Sequence, residues 1–144
     1  MRGKKGFVLG LVLALSLTLM SGCTSAKPLP ESMDEEVTGE AGQAIVAMLA
    51  EEDYQGVVDS FRADMKDAYS VTPDAVKDIM DQALAEAGAF VSVDKTLVIG
   101  GQSDDFDEDY ASVIVYAEHE SQDVIYELSF DTDLALLGLG VKQK

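Results

Sequence analysis

The chain has 144 residues, enough for one domain, and its 27 acidic and 10 basic residues give a formal charge of −17. Nucleic-acid affinity comes mostly from Lys and Arg side chains that displace counterions, so this charge excludes nucleic acid as a partner and leaves cations and basic partners open. The single cysteine, Cys23, excludes a disulfide within the chain and a metal site built from several thiolates.

The first 22 residues have the layout of a bacterial signal peptide. A basic start is followed by an apolar run at residues 7–20 and then by Ser21-Gly22-Cys23. A helix of this run would rise about 21 Å, less than the roughly 30 Å of a hydrocarbon core, which disfavours a permanent span. Residues 19–23 resemble the lipobox of lipoprotein precursors, which implies cleavage before Cys23 and attachment of a diacylglyceryl group to its thiol. An ordinary signal peptide followed by a stray cysteine is the alternative.

Residues 23–39 are predicted to form a lipidated, acidic, flexible tether. They contain two prolines and the cluster Asp34-Glu35-Glu36, and they lack an apolar period. A diacylglyceryl group carries two acyl chains, such as palmitate, which is the number that stable anchoring generally takes. We therefore expect the protein to be held by Cys23 on the extracytoplasmic face of the cell membrane.

Residues 40–144 are predicted to form a single domain whose first half is helical. Helices are expected over residues 40–51 and 53–69, where apolar side chains recur with a helical period. A third helix is marked by Thr72 as N-cap and Pro73 at the first helical position. Gly88 is expected to end this helical half.

From Ala89 onward the apolar side chains recur every second residue, which predicts strands. We expect strands at residues 90–99, 110–119, 124–130 and 134–142, with turns at residues 120–122 and 131–133. The fold class is therefore α+β, with N-terminal helices packed on one face of a curved four-stranded antiparallel sheet. Gly138 and Gly140 are expected to permit sheet curvature, with a binding surface as the alternative.

Several phrases in this order of elements resemble a family of domains of unknown function, number 3887. The phrases that carry the resemblance are Asp53-Tyr54, Val57-Val58, Phe61, Gly88-Ala89-Phe90, Phe130-Asp131 and residues 136–139. The resemblance covers about residues 40–144. It implies a nuclear-transport-factor-2-like, or cystatin-like, cone fold and a small secreted or lipid-anchored protein of Gram-positive bacteria.

The sequence offers no catalytic set, and no cofactor is expected. No aspartate lies inside an apolar run of the strands, where burial could raise its pKa as an isomerase needs. His119 is the only histidine, and it adjoins Glu118 and Glu120 beside a predicted turn. We therefore predict that His119 is a solvent-exposed residue without a role.

A weak calcium site is the one metal hypothesis. Asp105, Asp107 and Asp109 supply the D-x-D-x-D beginning of a calcium loop. However, Tyr110 occupies the position that needs glycine, and Tyr116 occupies the position that needs a bidentate glutamate. A solvated loop between two strands is the favoured interpretation.

The expected function is a non-catalytic binding or accessory module of the cell envelope, with a small molecule or a protein as partner. Ligand contacts are predicted at Phe61, Phe90 and Tyr116, although these side chains would also build a core. The alternative is a small isomerase-like or dehydratase-like enzyme with a pocket between helices and sheet. Self-association through an exposed face of the sheet is a third hypothesis.

Overall fold

A computed structural model describes residues 27–101 and 107–144 and confirms the α+β class. The helices are α1 (Glu35–Ala50), α2 (Tyr54–Ser60), α3 (Ala63–Tyr69) and α4 (Pro73–Ala83). The strands are β1 (Phe90–Gly100), β2 (Tyr110–His119), β3 (Asp123–Asp131) and β4 (Leu136–Gln143). The predicted signal peptide and Cys23 lie outside the described residues. Within residues 27–101 and 107–144, no helix combines the length and hydropathy needed to cross a bilayer.

The four strands form one antiparallel sheet in the order β1-β2-β3-β4, as the alternating pattern predicts. Successive side chains of a strand point to opposite faces, so an apolar residue at every second position gives the sheet one buried face. Val113, Tyr126 and Leu128 lie on this face and are at most 1% exposed. The opposite face, which includes Ile114 and Tyr116, is only partly buried.

The helices cover the buried face of the sheet. Helix α1 packs across β1, β2 and β3, while α4 packs against α2 and β4. Gly42 brings the α1 backbone close to β2, since a Cβ atom at this position would lie 2.5 Å from Cγ1 of Val113. The core therefore lies between the inner face of the sheet and the helices α1, α2 and α4.

Helix α1 begins at Glu35, five residues before the predicted start. The Asp34 side chain caps it by accepting a hydrogen bond from the Val37 amide at 3.0 Å. Glu35 and Glu36 then occupy the first turn, where the positive end of the helix dipole favours carboxylates. The acidic cluster assigned to the tether is thus a helix start.

The residues before α1 also lie against the domain. Met33 is 9% exposed and belongs to the core. Lys27 forms an antiparallel bridge with Gly100 at the end of β1, and the Gly100 amide donates to the Lys27 carbonyl at 3.0 Å. The described part of the predicted tether, residues 27–39, is therefore packed on the domain rather than extended away from it.

The single helix predicted over residues 53–69 is interrupted at Phe61 and Arg62. Both residues have extended backbone, with φ and ψ of −71° and 143° at Phe61 and of −64° and 144° at Arg62. Phe61 forms a parallel bridge with Leu136, and the Arg62 amide donates to the Leu136 carbonyl at 2.9 Å. Pairing with β4 therefore gives the Arg62 amide the acceptor that a continuous helix would have supplied.

The Arg62 side chain joins this break to the far end of the sheet. Its guanidinium donates to Asp64, Glu108 and Asp131 over distances of 2.8–3.1 Å. These carboxylates raise the pKa of Arg62, and Arg62 in turn lowers the pKa of Asp64. Asp131 is 6% exposed, and its other oxygen accepts from the amides of residues 133 and 135. A buried carboxylate therefore depends on one guanidinium.

Candidate functional site

A cavity of about 420 Å³ lies between the helix layer and one end of the sheet. It is bounded by the C-terminal ends of α1 and α4, the start of β1 and the hairpin that joins β2 to β3. Its apolar lining consists of Leu49, Ala50, Met80, Leu84, Ala89 and Phe90, and its remaining lining consists of Glu52, Tyr54, Asp81, Gly88, His119 and Tyr126. An apolar wall with a few converging polar groups is typical of a small-molecule site.

His119 and Tyr126 form a hydrogen-bonded pair in this lining. Nδ1 of His119 lies 2.8 Å from the Gly88 carbonyl oxygen, and Nε2 lies 2.8 Å from the Tyr126 hydroxyl. A carbonyl oxygen can only accept, so Nδ1–H donates to Gly88. In the neutral ring Nε2 is then an acceptor, and the Tyr126 hydroxyl donates to it. The Tyr126 oxygen keeps lone pairs that can accept a hydrogen bond from a ligand.

The prediction that His119 is solvent-exposed is wrong, because this side chain is 3% exposed. His119 follows Val113, Val115 and Ala117 at every second position of β2, and it therefore shares their buried face. The Phe90 ring packs edge-on against the imidazole, with ring centroids 5.8 Å apart. The alternation along β2 could have predicted this burial, but the prediction rested instead on the neighbouring glutamates and the adjacent turn.

The Gly88 turn completes the polar end of the cavity. Gly88 has a φ of +81°, a conformation that glycine adopts readily, and it directs its carbonyl towards His119. The next amide, that of Ala89, donates to the Glu120 carboxylate at 3.0 Å. The chain before β1 is thus fastened to the β2–β3 hairpin, which holds His119 in one orientation.

Two tyrosines of the lining have shifted pKa values. Burial raises the pKa of Tyr126 to about 12, so its hydroxyl stays protonated over the physiological range. The pKa of Tyr54 is also raised, first by burial and then by the negative charges of Glu52 and Asp81. Both phenols therefore act as neutral hydrogen-bonding groups.

The rim of the cavity is acidic. Glu52 lies in the turn between α1 and α2 with a φ of +61°, a left-handed conformation that is uncommon for a residue with a side chain. Asp81 lies on α4, where its carboxylate is 2.7 Å from the ammonium of Lys77. Tyr54 stands close enough to both carboxylates to feel their charge. The entrance therefore joins two carboxylates to an aromatic side chain.

The arrangement is better suited to binding than to base catalysis. Both nitrogen atoms of His119 are already engaged, so the imidazole has no free lone pair to offer directly to a ligand. The high pKa of Tyr126 makes a tyrosinate base unfavourable at neutral pH. The pair can instead present one fixed hydrogen-bond acceptor to a molecule held by the apolar wall.

The structure does not bring the three predicted ligand contacts together. Phe90 lines the cavity described above. Phe61 lines a different groove of about 280 Å³, between α4 and β4, together with Tyr69 and Ile79. Tyr116 lies on the opposite face of the sheet, where the ammonium of Lys95 is 4.9 Å from the centroid of its ring. Only Phe90 therefore belongs to the candidate site.

The calcium hypothesis remains a prediction. Asp107 and Asp109 are exposed, and Asp105 lies outside the described residues. Within the part of the chain that the structure describes, no group of three or more His, Cys, Asp or Glu side chains is arranged to hold a metal ion.

The residues of the candidate site come from four separate parts of the chain, and sequence patterns did not join them. The sequence predicted none of Glu52, Asp81 and Tyr126 as a site residue. The strand alternation could have placed His119 and Tyr126 on the same face, because both fall on inward positions of neighbouring strands.

Comparison with known proteins identifies the family of the domain and leaves its activity open. No curated protein matches the chain. A solved structure, described as the NMR structure of a protein from Ruminococcus gnavus ATCC 29149, is similar, with 25% sequence identity and a TM-score of 0.61. The match covers 79% of this chain and 96% of that chain.

A family model covers most of the domain. It matches residues 42–139, a range that contains every residue lining the candidate site. The chain therefore belongs to the family described as "Protein of unknown function (DUF3887)".

Proposed function

We propose that the protein is a lipid-anchored, extracytoplasmic binding module that takes a small molecule into the cavity between its helices and its sheet. The observation that carries the proposal is the buried His119–Tyr126 pair beside an apolar wall, with Glu52 and Asp81 at the rim. Such a pair gives a bound molecule one directional contact, while the surrounding side chains supply non-directional affinity. The resemblance to cone folds of the nuclear-transport-factor-2 type agrees with a cavity at this position.

A ligand screen with a cavity-filling variant tests the binding proposal. A molecule present at about 100 times its dissociation constant adds roughly 2.7 kcal/mol to the free energy of unfolding, which raises the melting temperature by several degrees. Leu84→Trp fills the cavity, whereas Leu97→Trp adds the same side chain at an exposed position of β1. We expect ligands to stabilise the wild type and Leu97→Trp but not Leu84→Trp. Equal stabilisation of both variants, or no ligand in a broad metabolite and lipid set, would refute the proposal.

The lipid anchor rests on the resemblance of residues 19–23 to a lipobox. Replacement of Cys23 by serine removes the thiol that would carry the diacylglyceryl group. We expect to find the wild type in the membrane fraction, cleaved before Cys23 and with the added mass of a diacylglyceryl group on that residue. We expect the variant to lack this added mass. A wild-type protein whose mass shows no diacylglyceryl group on Cys23 would contradict the anchor and leave the cavity proposal intact.

An enzyme of the isomerase or dehydratase kind is the second candidate, because the cavity holds the only imidazole of the chain. Any ligand found in the screen can be incubated with the protein and followed by NMR. Conversion that is lost in His119→Gln while binding persists would favour the enzyme. Recovery of the unchanged ligand would favour the binding module.

A further inference from the structure

We propose that the cavity selects an organic cation, with an ammonium group at the Glu52–Asp81 rim and an apolar body against Met80, Leu84 and Phe90. The inference rests on the proposed function, because it names the chemical class that the same cavity would take. It begins with the charges of the lining. Glu52 and Asp81 are its two charged members, and the described lining contains no lysine or arginine.

A built-in alkylammonium already occupies the edge of this rim. The Lys77 ammonium lies 2.7 Å from the Asp81 carboxylate. Asp81 is the main cause that raises the pKa of Lys77, and the charge of Glu52 contributes. The rim is therefore arranged so that a primary ammonium on a flexible chain can be stabilised there.

The Lys77–Asp81 pair is weak enough for a ligand to replace. The side chains of Lys77 and Asp81 are 53% and 57% exposed, and exposed pairs of this spacing contribute little to stability. Lys77 can swing into solvent on its own stem while a ligand ammonium takes its place beside Asp81. Lys77 is then a competitor of the ligand, and its removal should strengthen binding.

The aromatic side chains near the rim favour the same class of ligand. Tyr54 and Phe90 line the same cavity, Tyr54 lies near the two carboxylates, and cations are attracted to aromatic faces. The Tyr126 hydroxyl already donates a hydrogen bond to His119, so towards a ligand its oxygen can only accept. A carboxylate ligand would meet two like charges and an acceptor, so the lining discriminates against anions.

Three probes of nearly equal shape test the inference: benzylammonium, benzyl alcohol and benzoate. Binding is followed by NMR titration of the chain from residue 24 onward, read at the amides around His119 and Leu84. This part of the chain suits the experiment, because the matching domain makes up 96% of the folded R. gnavus chain. We expect benzylammonium to bind about tenfold more tightly than benzyl alcohol, and benzoate to bind most weakly. Of the three probes, only benzylammonium should bind more weakly when salt is added.

Two variants with opposite expected effects sharpen the test. Glu52→Gln should weaken the binding of benzylammonium by about three- to tenfold and leave the binding of benzyl alcohol unchanged. Lys77→Gln should strengthen the binding of benzylammonium by about two- to fivefold, because the Lys77 ammonium no longer competes for Asp81. Asp78→Asn is the control for Glu52→Gln, and Lys142→Gln is the control for Lys77→Gln. Each control makes the same change in net charge as its partner variant, at an exposed position outside the lining.

The outcomes separate this inference from the proposed function. Equal affinity for benzylammonium and benzyl alcohol, with shifts at the cavity amides, would overturn the cation selectivity and leave a binding cavity. Failure of benzylammonium to bind at millimolar concentration would overturn the inference. Weaker binding by Lys77→Gln would do the same, because a competitor cannot also be a contact.

Discussion

Replacement of Tyr126 by phenylalanine removes one oxygen atom from the centre of the candidate site and leaves the packed ring in place. The hydroxyl is the hydrogen-bond partner of Nε2 of His119, at 2.8 Å. His119 is 3% exposed, so solvent does not readily replace that partner. A buried polar atom that loses its partner costs about 1–3 kcal/mol, and we expect Tyr126→Phe to lower the free energy of unfolding by this amount at pH 8.

The same substitution should change how stability depends on pH. Burial raises the pKa of Tyr126 from 10.0 to about 12, so the folded protein binds this proton more tightly than the unfolded chain does. The resulting stabilisation is complete below pH 10 and is lost as the pH rises through 12. By pH 11 the wild type should have lost about 1.4 kcal/mol that Tyr126→Phe cannot lose, because phenylalanine does not titrate.

Urea unfolding followed by circular dichroism at pH 8 and pH 11 measures this difference for both proteins. The stability gap between wild type and Tyr126→Phe should narrow by about 1.4 kcal/mol. Tyr116→Phe serves as a control, since it removes a phenol on the opposite face of the sheet that is only partly buried. A gap of the same size at both pH values would refute the reasoning about burial of the Tyr126 hydroxyl.

Two further substitutions test the packing around the site. Arg62→Gln should lower the free energy of unfolding by about 2–4 kcal/mol in urea titrations, because the buried Asp131 carboxylate loses its cationic partner; a loss below about 0.5 kcal/mol would contradict that dependence. Gly42→Ala should lower the melting temperature although alanine favours helices, because its Cβ would lie 2.5 Å from Val113 and overpacking costs about 1–3 kcal/mol. Gly138→Ala, where no atom lies within 4 Å of a Cβ, should be nearly neutral, and an equal effect of both glycine substitutions would disprove the steric argument.

The sheet was the part of the fold that the sequence predicted best. Strand β2 runs from Tyr110 to His119 as expected, and the remaining strand boundaries differ by no more than two residues. An alternating apolar pattern results directly from a sheet with one buried face. It therefore predicts both where a strand lies and which of its side chains point into the core. The start of α4 was equally clear, because Thr72 accepts a hydrogen bond from the Ala75 amide as an N-cap should.

The features that sequence reasoning missed depend on contacts between distant residues. The apolar spacing of Val57, Phe61 and Met65 is that of one continuous helix, and only pairing with Leu136 explains the interruption. The start of α1 has no apolar period before Thr38, so the capping role of Asp34 was hidden.

The acidic rim could not be assembled from the sequence. Glu52 and Asp81 are 29 positions apart in the chain, and neither lies in a recognisable motif. They line one cavity because α1 and α4 both end beside it. Local patterns therefore predict the elements, while the site arises from how those elements are stacked.

The pairing of Lys27 with Gly100 determines how the cavity would stand above a membrane if Cys23 carries lipid. Lys27 follows Cys23 by four positions, a reach of at most about 14 Å, so the Gly100 end of β1 would lie near the headgroups. Phe90 lines the cavity at the other end of this strand, roughly 30 Å away along β1, and it would lie that far from the headgroups if the strand stands upright on the membrane. That distance is about three to four screening lengths at physiological salt, so the surface potential of the lipids would not reach the rim carboxylates. In this orientation the cavity would sample the surrounding solutes independently of the lipid composition beneath it.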